Sequence, residues 1–223
     1  KKKKKINLYK DGEPLLHEKL PQMISYIKSS DVGENIHVTT NASLLNEKKA
    51  IEIIEAGLDT IRISVEHVHD AGYQEITQKK FTYAEIKKNV EFLFKEKSRR
   101  GSSLKIHAKI ADSGLSTAEK EKFFNDFKSI SDTLNINPLS GWNNAGDIDF
   151  TLGTKEDSRS SSFSAEGFFN EQRKICPDIF YTMAINFNGI VSACCADWSM
   201  VVTLGDVNKQ SLKEIWNGDK LKE

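Results

Sequence analysis

With 223 residues and 25.2 kDa, the chain is too long for a minimal module and suits one large domain, or one domain with a small appendage. Its 32 Lys+Arg exactly balance 32 Asp+Glu at pI ≈ 7.1, which argues against a nucleic-acid binder that works by neutralising phosphates. The longest apolar run, Ala193 to Ala196, falls far below the roughly 20 residues of a membrane helix, so the reading is a soluble, cytoplasmic protein with a small-molecule or peptide partner.

Lys1 to Lys5 read as a solvated lead-in. From there to residue 139, short β patterns alternate with amphipathic helical patterns, the signature of βαβ units and a mostly parallel sheet. Five strands are expected, at Lys5 to Tyr9, Ile36 to Thr40, Asp59 to Val65, Leu104 to Ala111 and Thr133 to Pro138. The helices between them carry boundary signals. Pro21 sits early in a helix near Glu18 to Ser30, Asn46 caps one that Gly57 ends, and Thr82 with Glu85 forms a capping box for one that stops before Gly101. Ser116 with Glu119 repeats the box.

The strands are two-faced. Leu104, Ile106, Ala108 and Ile110 share one side and Lys105, His107 and Lys109 the other; Ile61, Ile63 and Val65 alternate with Thr60, Arg62, Ser64 and Glu66. Weaker versions run through Ile36 and Val38 against His37, Thr39 and Asn41, and through Leu134 and Ile136 against Asn135 and Asn137. A closed eight-stranded barrel fills its interior with branched aliphatics, and a doubly wound sheet is apolar on both sides. Helices on one face, with the other curved around a polar ligand, fit this pattern; so does an α+β sheet with one solvated face.

Between Leu139 and Ile175 periodicity fades into Gly, Asn and Ser, which reads as a linker or a long loop. Beyond it, Ile179 to Phe187 and Ile190 to Cys194 read as a hairpin turning at Asn188 and Gly189, and Ser211 to Asn217 as a short helix closed by Gly218. Trp142, Trp198 and Trp216 read as packing residues, Trp216 on a helical face with Leu212 and Ile215.

All three cysteines, Cys176, Cys194 and Cys195, lie in this last piece. An odd count argues against a disulfide framework and leaves two readings, a metal site or ordinary buried thiols. Gly12, Glu13 and Pro14 follow the first strand, where parallel folds bind ligands; a plain turn is the alternative. His67 and His69 form an HxH pair after the third strand, open to a metal reading or to a solvated cluster with Glu66 and Asp70.

Together, GEPLLH at 12 to 17, TTNASLL at 39 to 45, EAGLDTIRISVE at 55 to 66, CPDIFYTMAINFNGIVSACCADW at 176 to 198 and LGDVNKQSLKEIWNG at 204 to 218 resemble a radical S-adenosylmethionine (radical SAM) enzyme with a SPASM or Twitch auxiliary-cluster domain. Twelve residues separate Cys176 from Gly189 and four separate Gly189 from Cys194, as in the opening of the SPASM pattern. The resemblance implies an α/β fold, a partial open (β/α) barrel over 1–139, a linker or loop over 140–175, and a truncated auxiliary segment of hairpin and helix over 176–223. It implies S-adenosylmethionine held at Gly12, Glu13 and Pro14, with Asn41, Ser64 and Glu66 as further contacts and Asp11 in place of the family's usual first glycine; Lys109, inward by the strand alternation, is a further candidate contact. Cys176 and Cys194 would ligate an auxiliary iron–sulfur cluster.

Two departures stand out. The CxxxCxxC loop that holds the family's cofactor-cleaving [4Fe-4S] cluster is missing from this sequence, as are later SPASM cysteines, so the chain resembles the middle of a longer enzyme and is expected to be inactive alone. The parent would cleave S-adenosylmethionine to a 5'-deoxyadenosyl radical that abstracts hydrogen from a peptide or sugar-like substrate, with an electron donor such as flavodoxin or ferredoxin. The alternative is a non-catalytic binding or partner protein of the same fold. A metal-independent barrel hydrolase or aldolase would have to draw its catalytic set from Lys105, His107 and Lys109.

Overall fold

The computed structural model describes residues 2–78, 81–138, 177–195, 197 and 199–222. It divides into two compact units, Lys1–Pro138 and Leu139–Glu223.

The first unit is a five-stranded parallel sheet of β1 (Ile6–Asn7), β2 (Ile36–Thr40), β3 (Thr60–Val65), β4 (Lys105–Asp112) and β5 (Thr133–Pro138), in spatial order β1-β2-β3-β4-β5. Its helices are α1 (Leu20–Ser29), α2 (Glu47–Glu55), α3 (Asp70–Thr77), α4 (Tyr83–Arg99) and α5 (Thr117–Phe127). Their starts are set by the side chains that the sequence pattern points to. Asn46 accepts from Lys49 N–H, and Thr82/Glu85 and Ser116/Glu119 both close reciprocal capping boxes that satisfy otherwise orphaned backbone donors.

The alternation of the strands becomes a division of labour between faces. Ile36, Val38, Ile61, Ile63, Val65, Ile106, Ala108 and Ile110 are buried in one core with Ile24 of α1, Ile53 of α2, Val90 and Leu93 of α4, and Phe123 and Phe127 of α5. In register on the opposite face, Thr39, Arg62, His107 and Thr133 form one row and Ser64, Lys109 and Asn135 the next. These residues are half-buried or exposed. Hydrophobic burial therefore fixes which side the helices take, and leaves the polar side uncovered by that layer.

An ionic cluster ties α4 to α5. The Asp126 carboxylate accepts from Tyr83 Oη at 2.7 Å, Lys87 Nζ at 2.8 Å and Lys122 Nζ at 2.5 Å. Partial burial opposes its charge, yet these three donors hold its pKa down to about 2. A depressed carboxyl contributes stability above its unfolded pKa and loses it as pH falls through the folded value. Asp126→Ala should lower stability at neutral pH by roughly 2 kcal/mol, and urea midpoints of mutant and parent should converge in acid; a constant gap down to the acid limit would exclude this coupling.

The second unit pairs β6 (Ala184–Ile185), β7 (Ile190–Ser192) and β8 (Thr203–Asp206) in an antiparallel sheet, followed by α6 (Leu212–Trp216). Its core is small, with Val191, Leu204 and Ile215 buried together. The β6–β7 turn needs glycine at 189 twice over: φ is +88°, and a Cβ would stand 2.2 Å from Asn208 Nδ2, which donates to Asn188 O and Asp206 Oδ1.

Several boundaries move. The first strand shrinks to two residues, and the exposed Lys3 joins the sheet margin through a parallel bridge of its backbone to Gly33. Residues 70–77 form α3, an element that the sequence pattern does not predict. In the second unit Pro177–Phe180 is a 3-10 turn, the hairpin strand ends at Ser192 instead of Cys194, and β8 adds a third strand. Leu212 is 48% exposed, so Ile215 rather than a Leu212-centred face anchors α6. Trp142 and Trp198 lie outside the described residues.

Candidate functional site

The loop after β1 is stitched to the end of β2 by one carboxylate. Glu13 Oε1 accepts from Leu15 N at 2.9 Å and Thr40 Oγ1 at 2.7 Å, while Oε2 accepts from Asn41 N at 2.9 Å. Gly12 turns with φ +85°, and Pro14 starts a 3-10 turn (Pro14–Leu16) whose Leu15 O accepts from Lys49 Nζ at 2.6 Å. The Glu13 side chain is thus spent on the protein itself, so a ligand at this loop would meet backbone groups.

The far half of the seam is strained. Ala42 is fully buried at φ +59°, a left-handed conformation that costs a non-glycine residue and persists only when its surroundings demand it. Here they do: Ala42 N donates to Thr40 Oγ1, and Asn89 Nδ2 of α4 donates to Ala42 O. The Asn41 Oδ1 accepts from both Ser43 N and Ser43 Oγ, closing the turn.

Next along the sheet, Ser64 and Lys109 are register partners on the polar face, and Glu66 follows β3 immediately. All three are half-buried. Burial pushes the Glu66 carboxyl up, with the Lys109 ammonium countering; burial and then Arg62 push Lys109 down, with Glu66 countering. No described residue lies within 4.0 Å of either as an ion-pair partner. Beneath them, Tyr73 of α3 is 2% exposed, and its hydroxyl lies against the Glu66 backbone without a hydrogen bond of full geometry. Burial and the Glu66 charge raise its pKa. Further down the same face His37 is pushed to about 4 by burial and by Lys5, Arg62 and His107, and is neutral at pH 7.

Of the residues singled out from sequence, Gly12, Glu13, Pro14 and Asn41 meet in the stitched loop pair, while Ser64, Glu66 and Lys109 line the polar face and its carboxyl edge one and two strands away. Thr40, Tyr73 and Arg62 were not signalled as site residues. Thr40 has the parity of the apolar side, Arg62 stands on the polar side within the 55–66 segment without being singled out, and Tyr73 lies outside every quoted segment. Cys194 is half-buried and Cys195 exposed, both beyond the end of β7; Cys176 lies outside the described residues, so its relation to Cys194 does too.

A parallel sheet with helices on one face and, among the described residues, half-buried polar groups at the carboxyl ends of the other is an open α/β scaffold. Two family models match parts of the chain, which carries a domain of the radical SAM superfamily over residues 1–107 and a C-terminal SPASM-type iron-sulfur cluster-binding domain over residues 176–223. Among curated proteins, a probable GTP 3',8-cyclase of Methanococcus maripaludis is 44% identical over 66 residues, covering 30% of this chain and 22% of that one. A GTP 3',8-cyclase of Limosilactobacillus fermentum is 40% identical over 67 residues, covering 30% and 20%.

Solved relatives share the fold at low identity. Streptococcus suis SuiB bound to the precursor peptide SuiA has a TM-score of 0.67 at 14% identity, covering 97% of this chain and 54% of that one. BtrN in complex with AdoMet and 2-DOIA has a TM-score of 0.51 at 15% identity, covering 98% and 63%. The chain therefore spans less than two thirds of the relatives it matches.

The family's cofactors fit this chain unequally. The Ser64 hydroxyl, Glu66 carboxylate and Lys109 ammonium offer the mixture of donors and acceptors that a zwitterionic nucleoside such as S-adenosylmethionine requires. A cofactor-cleaving cluster does not fit, because it needs a set of thiolates and no CxxxCxxC occurs in the sequence. Among the described residues only Cys194 and Cys195 offer a thiol. No described helix is long and apolar enough to cross a membrane.

Proposed function

We propose that the polar face of the parallel sheet binds S-adenosylmethionine and that this 223-residue chain binds the cofactor without cleaving it. The supporting observation is the half-buried set of Ser64, Glu66 and Lys109, which makes no hydrogen bond or close ion pair among the described residues, beside the Glu13-stitched loops. Charged groups half withdrawn from water carry an unrecovered desolvation cost, which a polar ligand repays. Gly12, Glu13 and Pro14 shape the loop that offers backbone groups, Asn41 holds the facing turn, and Ser64, Glu66 and Lys109 supply side-chain contacts.

A catalytic reading belongs to a parent protein that supplies the three-cysteine loop. There the same face would orient S-adenosylmethionine for radical chemistry on a peptide or sugar-like substrate in the cytoplasm, with flavodoxin or ferredoxin as electron donor. Support for the peptide class comes from SuiB, solved bound to the precursor peptide SuiA, and support for the cofactor from BtrN, solved in complex with AdoMet and 2-DOIA. Residues 1–139 would form the cofactor domain, 140–175 the connection and 176–223 the auxiliary segment, in which Cys176 and Cys194 would be cluster ligands.

Calorimetry with S-adenosylmethionine and an anaerobic assay for 5'-deoxyadenosine, after iron–sulfur reconstitution and reduction, test the binding reading together. Saturable binding with no 5'-deoxyadenosine is expected. Formation of 5'-deoxyadenosine overturns the non-cleaving part, and absence of binding overturns the site.

A further inference from the structure

We propose that His67, His69 and Glu119 form a binding site for a divalent transition-metal ion of the zinc class, separate from any iron–sulfur cluster. Glu119 Oε1 stands 3.0 Å from His69 Nε2 and 3.6 Å from His67 Nε2, and one ligand atom from each residue lies within 4.8 Å of the others. Nitrogen and oxygen ligands about 2.0–2.1 Å from a tetrahedral ion are roughly 3.3 Å apart, so the observed spacing closes onto a metal with small side-chain shifts.

Each ligand is held by something other than a metal. Glu119 is the third residue of the α5 capping box, and its Oε2 accepts from Ser116 N and Ser116 Oγ, which leaves Oε1 turned to the two imidazoles. His67 follows β3 by two residues, and its ring sits directly over Gly72 of α3, where a Cβ would fall 2.4 Å from Nδ1. Only glycine at 72 leaves room for that ring. His69 is the residue before α3, so two strand-to-helix connections, after β3 and after β4, converge on one point.

The donor set suits a cation, because Ser116 holds Glu119 Oε2 and leaves Oε1 facing the two imidazoles. In the metal-free chain His67 Nδ1 accepts a long 3.3 Å bond from His69 N, so its ring proton faces Glu119 from Nε2. Metal binding at Nε2 shifts that proton to Nδ1 and gives up this weak bond, a small cost against an imidazole–metal bond. Two imidazoles and one carboxylate are a donor set for zinc, and three protein ligands leave a position for water or a substrate group.

Titration of the full chain with Zn2+, and separately with Co2+ as a spectroscopic probe, tests the site against His69→Ala, Glu119→Gln and Gly72→Ala. Gln at position 119 preserves the capping box, and His69 is exposed, so circular dichroism should be unchanged in both. The expected result is one equivalent of metal lost, or bound at least about 100-fold more weakly, in His69→Ala and Glu119→Gln. The cobalt d–d bands lost should be those of nitrogen and oxygen ligation, without thiolate charge transfer. Gly72→Ala, which removes no ligand, should also weaken binding by displacing the His67 ring. Equal stoichiometry in parent and variants, or a cobalt spectrum due wholly to cysteine thiolates, would overturn the site.

Discussion

Glu13→Gln should both unsettle the fold and weaken S-adenosylmethionine binding by at least about tenfold, although the substitution is nearly isosteric. The carboxylate accepts from three donors, Leu15 N, Thr40 Oγ1 and Asn41 N. A carboxamide can keep the two that share Oε1, but its amide group then confronts Asn41 N–H donor to donor. Losing one charge-assisted bond and leaving a donor unpaired is expected to cost roughly 2–4 kcal/mol. The left-handed turn at Ala42 depends on the same seam, through Thr40 Oγ1, so the two loops should separate. Urea denaturation and calorimetry read the two effects; a variant with the parent's midpoint and affinity would show that the stitch is idle.

The opposite signs are expected for the double replacement Glu66→Gln with Lys109→Met, which should raise stability at neutral pH by about 1–2 kcal/mol and abolish cofactor binding. Burial raises the Glu66 pKa, so its contribution to stability is complete below the unfolded value and is lost as pH rises through the folded one. Burial depresses Lys109, whose contribution is present above its unfolded value and lost as pH falls through the folded one. Between those limits both groups are charged at a cost, with only partial mutual relief. The stability gain should therefore be greatest near neutrality and shrink toward acid and toward strong base. A double variant less stable than the parent would mean that the pair supports the fold and is not held in reserve for a ligand.

What could be read from the residues follows from the range of the forces involved. Strand faces are local: Ile61, Ile63 and Val65 against Arg62, Ser64 and Glu66 needed only a period of two, and burial kept it. Caps are local too: Asn46 caps its helix, and Thr82 with Glu85 and Ser116 with Glu119 close the boxes that their spacing announces. The short elements escaped. Helix α3 carries a glycine at 72 and buries only Tyr73, too little apolar surface for a helical period, and β8 has four residues with Gly205 inside. The Glu13 to Thr40 contact joins residues 27 apart, and the approach of Glu119 to His69 spans 50; no local pattern encodes either. Both emerge once parallel strands bring their carboxyl ends to one side of the sheet.

The order in which the sheet's strands lie has a consequence for how the protein is made. Because β1, β2, β3, β4 and β5 are neighbours in the same sequence as they leave the ribosome, no strand has to wait for a later one to be inserted between earlier partners. Each new strand finds its docking edge already exposed, and the helix just synthesised covers the apolar side as it arrives. The loops that converge on Glu13 and Asn41 are complete once α4 contributes Asn89, before β4 exists. Synthesis at about 5–20 residues per second gives this N-terminal half seconds to settle while the remainder is still being translated, so the chain can assemble its unit from one edge to the other as a growing ribbon.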